Sequence, residues 1–282
     1  MSKKIVKITK ASGERESFNE QKLAESIERA GIPPAIQTEA IDYVKDYLYD
    51  SITTDEIYSR LLEFLEESDY PQGRVKYSLK RSVMALGPSG YPFERFLAEV
   101  LESRGYKTKV GNIVPGLCTK YEVDVIAKKD KECILVECKF HNHAGTQTKT
   151  KPVVYVRSAF NDILAAVEEK NSKAIKFTAV MLVTNTKFSP RALKYALCAG
   201  VRLLGWDYPD RDSLRDWIQD SGLHPITCLF SLSQNQKEKL LNEEIVLCRD
   251  LVETDHRLLK SLNFSSGLIK QAIKEAQAVC QT

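Results

Sequence analysis

Two glycines and two prolines fall within six residues, Gly87-Pro88-Ser89-Gly90-Tyr91-Pro92. No regular element runs through such a stretch, because proline lacks the N–H a helix needs and glycine gives up too much backbone entropy. A chain of 282 residues is therefore cut near its first third. A softer break lies at Ser221-Gly222-Leu223-His224-Pro225. The expected organisation is a multi-domain α/β chain in three parts, 1–88, 91–222 and 223–282.

The first part opens with short alternating segments at 5–9 and 14–17 around a turn at Ala11-Ser12-Gly13, which predicts a small β-hairpin. The rest has helical periodicity. Leu23, Ile27 and Ala30 share one face of a helix that stops at Gly31, and Ile36, Ala40, Ile41, Val44, Tyr47 and Leu48 continue at helical spacing. Thr53 followed three residues later by Glu56 is a capping box, with Ile57, Leu61, Leu62 and Leu65 as the stripe behind it.

The second part alternates helix and strand. Phe93, Phe96, Leu97, Val100 and Leu101 mark a helix buried on one face and ending at Gly105. Strand-like runs follow at 106–110, 121–127 and 133–140, then a helix over 158–170, a strand over 177–184, a helix over 190–199 and a strand over 201–206. The order αβββαβαβ implies a mixed sheet with helices on both faces. The third part is helical. Its Leu232, Leu240, Leu241, Ile245 and Leu251 pattern is like a helix-hairpin-helix unit, but Glu243 and Glu244 occupy the turn and would repel DNA. Packing on the second part, or dimerisation, competes with DNA binding there.

Charge narrows the function. Residues 1–90 carry 13 basic and 15 acidic side chains, so the net charge of +3 arises in the remainder. Between Lys139 and Asn161 the basic residues Lys139, Lys149, Lys151 and Arg157 meet no acid, which suits a polyanion as much as a solvated loop. Seven cysteines include no Cys-x-x-Cys pair, against a disulfide scaffold or zinc ribbon and in keeping with a cytoplasmic protein. No apolar run approaches the roughly 18 residues of a membrane span, and Met1-Ser2-Lys3-Lys4 precedes no apolar leader segment.

One constellation has chemistry in it. Asp124 lies inside the apolar strand Val123-Asp124-Val125-Ile126, and Glu137 and Lys139 end the run Ile134-Leu135-Val136. Strand side chains alternate, so Glu137 and Lys139 share a face. Two carboxylates and a lysine on adjacent strands form a site for a hard divalent cation such as Mg²⁺. The lysine serves to orient or deprotonate a water and to offset transition-state charge. The same residues are also compatible with a structural ion pair. His141 and His143 are spaced to face one way; without a third soft ligand nearby they read as surface residues or DNA contacts rather than zinc ligands. Gly145, Gln147, Lys149 and Lys151 are expected in a loop at the mouth of the site, where they would position phosphates.

The segment 91–208 resembles the PD-(D/E)XK nuclease superfamily, in its Mrr-like restriction endonuclease branch. The matching residues are Tyr121-Glu122-Val123-Asp124-Val125-Ile126-Ala127 and Ile134-Leu135-Val136-Glu137-Cys138-Lys139, followed by Leu182-Val183-Thr184-Asn185, Phe188-Ser189-Pro190-Arg191-Ala192 and Ala199-Gly200-Val201. Val123 stands where the motif's proline would. The resemblance implies Asp124 and Glu137 as ligands of Mg²⁺ or Mn²⁺ and Lys139 as the residue serving the water. Members often add an acid from the first helix. Glu94 borders the apolar face and Glu99 does not, so Glu94 is the expected one.

The segment 3–86 resembles the ATP cone, the nucleotide-sensing module of ribonucleotide reductases and their repressor. The matching stretch is Lys10-Ala11-Ser12-Gly13-Glu14-Arg15-Glu16-Ser17-Phe18-Asn19-Glu20-Gln21-Lys22-Leu23. It implies Lys10, Glu16 and Lys22 as nucleotide contacts; the family often has Arg-Asp where this chain has Ala11 and Ser12. Together the resemblances imply a metal-dependent DNA endonuclease with ATP or dATP as effector, acting as a homodimer or larger assembly because duplex cleavage takes two sites. The alternatives are a nucleotide-sensing DNA binder with an inactive nuclease fold, and a nuclease for RNA or branched DNA.

Overall fold

A computed structural model describes residues 6–10, 13–143, 145–170 and 175–281. The expectations placed on Met1 to Ile5, Ala11 and Ser12 lie outside the described residues. Contacts divide the chain into two compact units, 1–80 and 81–281, so the helical third part packs within the same unit as the mixed sheet.

In the first unit, β1 (Lys7–Thr9) and β2 (Arg15–Ser17) form the expected hairpin. α1 (Glu20–Arg29) starts at Asn19, whose Oδ1 accepts from the Lys22 N–H at 3.1 Å. α2 (Pro34–Asp46) begins with proline, which costs nothing where no N–H partner exists. One strand was not foreseen: β3 (Ile52–Thr53) pairs parallel with β1 and makes the hairpin a three-stranded sheet. Thr53 then caps α3 (Thr54–Glu67) through the capping box with Glu56. α4 (Gly73–Met84) follows, the unit boundary falling between Lys80 and Arg81. Ile8, Ile27, Ala40, Val44, Ile52, Leu61 and Leu65 form the buried centre.

The second unit begins with α5 (Tyr91–Ser103), then β4 (Lys107–Pro115), β5 (Lys120–Lys129) and β6 (Glu132–Lys139) in antiparallel succession. A two-residue strand β7 (Gln147–Thr148) leads into α6 (Thr150–Lys170). β8 (Ala179–Thr184), the short β9 (Lys187–Phe188), α7 (Pro190–Ala199), β10 (Arg202–Leu204) and α8 (Leu214–Ser221) complete the core. The main sheet has the order β10-β8-β6-β5-β4, with β6, β8 and β10 parallel. This is the expected αβββαβαβ core. Cys133, Ile134, Leu135 and Val136 are all buried, so both faces of β6 are covered.

Two boundaries differ. β4 continues past Gly111 to Pro115 because that glycine takes the left-handed conformation, φ 64°, and kinks the strand without ending it. α6 starts eight residues earlier than the sequence periodicity implied, at Thr150. Its first turns hold Pro152, Val153, Val154 and Val156, poor helix formers by propensity, but proline is tolerated in a first turn and burial of Val153 and Val156 outweighs the rest. Lys151 is thus helical rather than in a loop.

The C-terminal stretch is α9 (Gln234–Asn242), α10 (Cys248–Glu253), α11 (His256–Ser261) and α12 (Ser266–Cys280). The turn glutamate Glu244 ion-pairs with Arg95 of α5 at 3.0 Å and accepts from the Tyr91 hydroxyl at 3.0 Å. That end of the hairpin packs on the core.

Candidate active site

The antiparallel register pairs Val125 with Val136, and one step further sets Asp124 opposite Glu137. There the ladder gives way to a side chain: the Cys138 N–H donates to Asp124 Oδ2 at 2.7 Å. On the other flank, Gly111 falls between the registered pairs Val110–Val125 and Asn112–Val123, so no side chain stands across from Asp124 on β4. Phe93 packs its ring on Phe140 at 5.4 Å, which starts α5 beside the end of β6 and brings Glu94 there.

The electrostatics follow from this crowding. Burial pushes Glu137 up to about 8, and the charges of Asp124 and Glu94 push the same way. Glu94 is pushed up to about 7 by burial, then by Asp124 and Glu122. Asp124 is also raised by burial, partly offset by the Cys138 N–H and by Lys139. The structure thus brings Glu94, Asp124, Glu137 and Lys139 together, and adds Glu122, which the sequence reading missed. The alternation that grouped Glu137 with Lys139 applies equally to Glu122 and Asp124 on β5. Among the described residues, no Lys or Arg nitrogen lies within 4 Å of the carboxylates of Glu94, Asp124 or Glu137. Lys139 itself is exposed.

Among the described residues, no three His, Cys, Asp or Glu side chains form a closed metal cage. That is compatible with Mg²⁺, which takes one or two carboxylates and keeps waters and substrate oxygens for the rest. The donor set is all oxygen, and a dication would offset both the burial and the mutual repulsion that raise these carboxyls. Asp124 and Glu137 fit such an ion.

Downstream of Lys139 the structure corrects one expectation. His141 does not present its Nε2 to a nucleic acid; that atom lies 2.8 Å from Thr148 Oγ1. The Thr148 hydroxyl proton goes to Thr184 Oγ1 at 3.0 Å, and the Thr184 proton to the Lys139 carbonyl at 2.7 Å, so His141 donates from Nε2. The Asn185 side chain clasps the His141 backbone, accepting from its N–H and donating to its carbonyl, both at 2.9 Å. Thr148, Thr184 and Asn185 are buried. They hold the backbone from which the exposed Lys139 projects, a role the sequence pattern of Thr184-Asn185 did not reveal. Lys149 and Lys151 line a cleft of about 950 Å³. Arg157 does not join them; it is half-buried, its guanidinium 5.3 Å from the Phe160 ring, and Arg191 takes the place in the cleft.

In the first unit, Lys10, Glu16 and Lys22 meet. Glu16 lies 2.8 Å from Lys10 Nζ and 3.3 Å from Lys22 Nζ, and these lysines hold its carboxyl below the usual range.

A sheet of this order with this acid-and-lysine cluster defines a restriction-endonuclease-like nuclease domain. Comparison with known families agrees: residues 6–83 match the ATP cone domain, 87–218 the restriction endonuclease domain of the Mrr type, and 224–280 the AF1548-like C-terminal domain. An uncharacterized protein of Archaeoglobus fulgidus is 36% identical over 183 residues, 65% of this chain and 99% of that protein. The crystal structure of the protein of unknown function AF1548 superposes with a TM-score of 0.57 at 34% identity, covering 68% of this chain and 99% of that one. The chain belongs to the AF1548-like family, and it carries an ATP cone and an Mrr-type restriction endonuclease domain.

Proposed function

We propose that this chain is a divalent-metal-dependent DNA endonuclease whose activity responds to ATP or dATP bound by the cone. In this reading 1–88 is the regulatory part, 91–222 the nuclease and 223–282 a helical buttress. The observation that carries it is the convergence of Asp124, Glu137 and Lys139 at one strand end, with the Cys138 N–H fixing the Asp124 carboxylate.

Asp124 and Glu137 would hold Mg²⁺ or Mn²⁺. When bound, the ion would polarise a phosphoryl oxygen and make water more acidic. Lys139 Nζ would orient the attacking water and offset charge on the phosphoryl oxygens. Glu94, raised by the same crowding, is placed to take a proton near neutral pH. Lys10, Glu16 and Lys22 would hold the nucleotide, the lysines as point charges on phosphate. Cutting both strands of a duplex would take two copies of the chain.

The test is cleavage of supercoiled plasmid with Mg²⁺ or Mn²⁺, with and without ATP, beside Asp124→Ala. Nicking by the wild type that the variant loses supports the nuclease, and a change with ATP ties the cone to it. No nicking of plasmid under any metal or nucleotide condition counts against duplex DNA as the substrate.

A further inference from the structure

The cleft beside the catalytic lysine is built by two parallel strand-to-helix units. Gln147 of β7 registers with Lys187 of β9, and the Ser189 N–H donates to the Thr148 carbonyl at 3.0 Å, so α6 and α7 begin side by side. Each has a cation as its second residue, Lys151 and Arg191, and neither has an acid in its first turn. Helix N-termini disfavour cations and favour anions. Lys149 adds a third positive charge. None of the three lies within 4 Å of a carboxylate oxygen among the described residues, and no acid is among the described lining residues. Local rules broken repeatedly in one place, without a compensating partner among the described residues, mark a binding site. The missing partner is an anion.

The same cleft exposes apolar surface. Tyr155 is 55% and Val154 43% exposed, and both line the cleft with Lys149, Lys151 and Arg191. Duplex DNA offers phosphates but keeps its base faces stacked inside. An unpaired strand offers both, and base stacking on an exposed aromatic ring beside a basic track is how single strands are held. The cleft wall is tied to the Lys139 backbone: Thr148, between Gln147 and Lys149, bonds His141 at 2.8 Å and Thr184 at 3.0 Å, and Thr184 bonds the Lys139 carbonyl at 2.7 Å.

We infer that this cleft binds a single-stranded nucleic-acid segment, its phosphates on Lys149, Lys151 and Arg191 and a base on the Tyr155 ring. The chain would then cut at or beside unpaired strand. The destination of the strand rests on the nuclease reading; its binding does not.

Fluorescence anisotropy of the full chain in EDTA, where no cleavage occurs, tests it with labelled 20-mers of oligothymidine, oligouridine and mixed-sequence duplex. The wild type binds a single strand more tightly than duplex, and the thymidine and uridine arms show whether DNA or RNA is preferred. Tyr155→Ala weakens single-strand binding about ten-fold and Tyr155→Phe does not. Combined Lys149→Ala, Lys151→Ala and Arg191→Ala makes the log–log salt slope shallower by about 2. Single-strand affinity unchanged within two-fold in Tyr155→Ala, or tighter binding of duplex by the wild type, overturns the inference. Single-strand binding with no cleavage of any substrate in metal would leave the cleft standing and remove the nuclease.

Discussion

The backbone N–H of Cys138, between Glu137 and Lys139, donates to the Asp124 carboxylate at 2.7 Å. Asp124 therefore has two duties that substitution separates. Asp124→Asn keeps an oxygen for that N–H and gives up the charge. Asp124→Ala gives up both, and the half-buried N–H loses its partner, at a cost of about 1–3 kcal/mol. Cleavage should fall at least about 100-fold in both variants. Thermal unfolding should show only the alanine variant destabilised. Equal destabilisation of both would mean the charge, not the hydrogen bond, holds the strands together here.

Glu137 and Glu94 set a pH dependence of stability. Their folded carboxyls sit at about 8 and about 7, above the ordinary 4.5. Without metal the folded state then holds more protons than the unfolded state between about pH 4.5 and 8, so stability falls as pH rises through that window. Glu137→Gln should be more stable than the wild type by on the order of 4 kcal/mol at pH 8.5, and equal to it at pH 4. Millimolar Mg²⁺ should stabilise the wild type at pH 8.5 far more than the variant. Differential scanning calorimetry across pH, with and without Mg²⁺, checks both; a variant advantage that persists at pH 4 would show that packing, not charge, is responsible.

These residues also show what a sequence makes legible. Asp124, Glu137 and Lys139 stood out because each interrupts or ends an apolar run, where an unpaired charge is costly. Glu94 was legible from its place on the rim of a helical stripe. β3 was not, because two residues carry no periodicity and its pairing partner β1 is more than forty residues away. The early start of α6 was hidden by the strand propensity of Val153, Val154 and Val156, which burial of Val153 and Val156 against the sheet overrides. Its consequence reaches the site: only with Lys151 on the first turn of α6, beside Arg191 on α7, does a basic run become a cleft.

Thr184 is the hub beneath Lys139. Its single hydroxyl donates to the Lys139 carbonyl and accepts from Thr148. Thr184→Val keeps the shape and removes both bonds, leaving buried groups unpaired at a cost of about 2 kcal/mol. Thr184→Ser keeps them. Because Lys139 is exposed and is aimed only by its backbone, turnover should fall about ten-fold or more in Thr184→Val, with substrate binding little changed, and recover in Thr184→Ser. Steady-state kinetics with each variant's melting temperature tests this; a turnover loss that Ser fails to restore would assign the defect to methyl packing.

The cone makes a claim that needs no nuclease activity to check. Glu16 bridges Lys10 and Lys22, so the two lysines are held close together, and the carboxylate raises Lys10 above the ordinary lysine value. A ligand that binds only the folded chain stabilises it by about 2.7 kcal/mol at a hundred times its dissociation constant. ATP and dATP should therefore raise the melting temperature of the full chain. Lys22→Ala should weaken binding about ten-fold and cut that stabilisation by about 1.4 kcal/mol at the same concentration. Run beside the cleavage assay, the measurement separates two failures. A thermal shift with no change in cutting means the cone binds without regulating. No shift with either nucleotide means that Lys10, Glu16 and Lys22 form a surface ion-pair cluster, and that regulation of the nuclease by this route is absent.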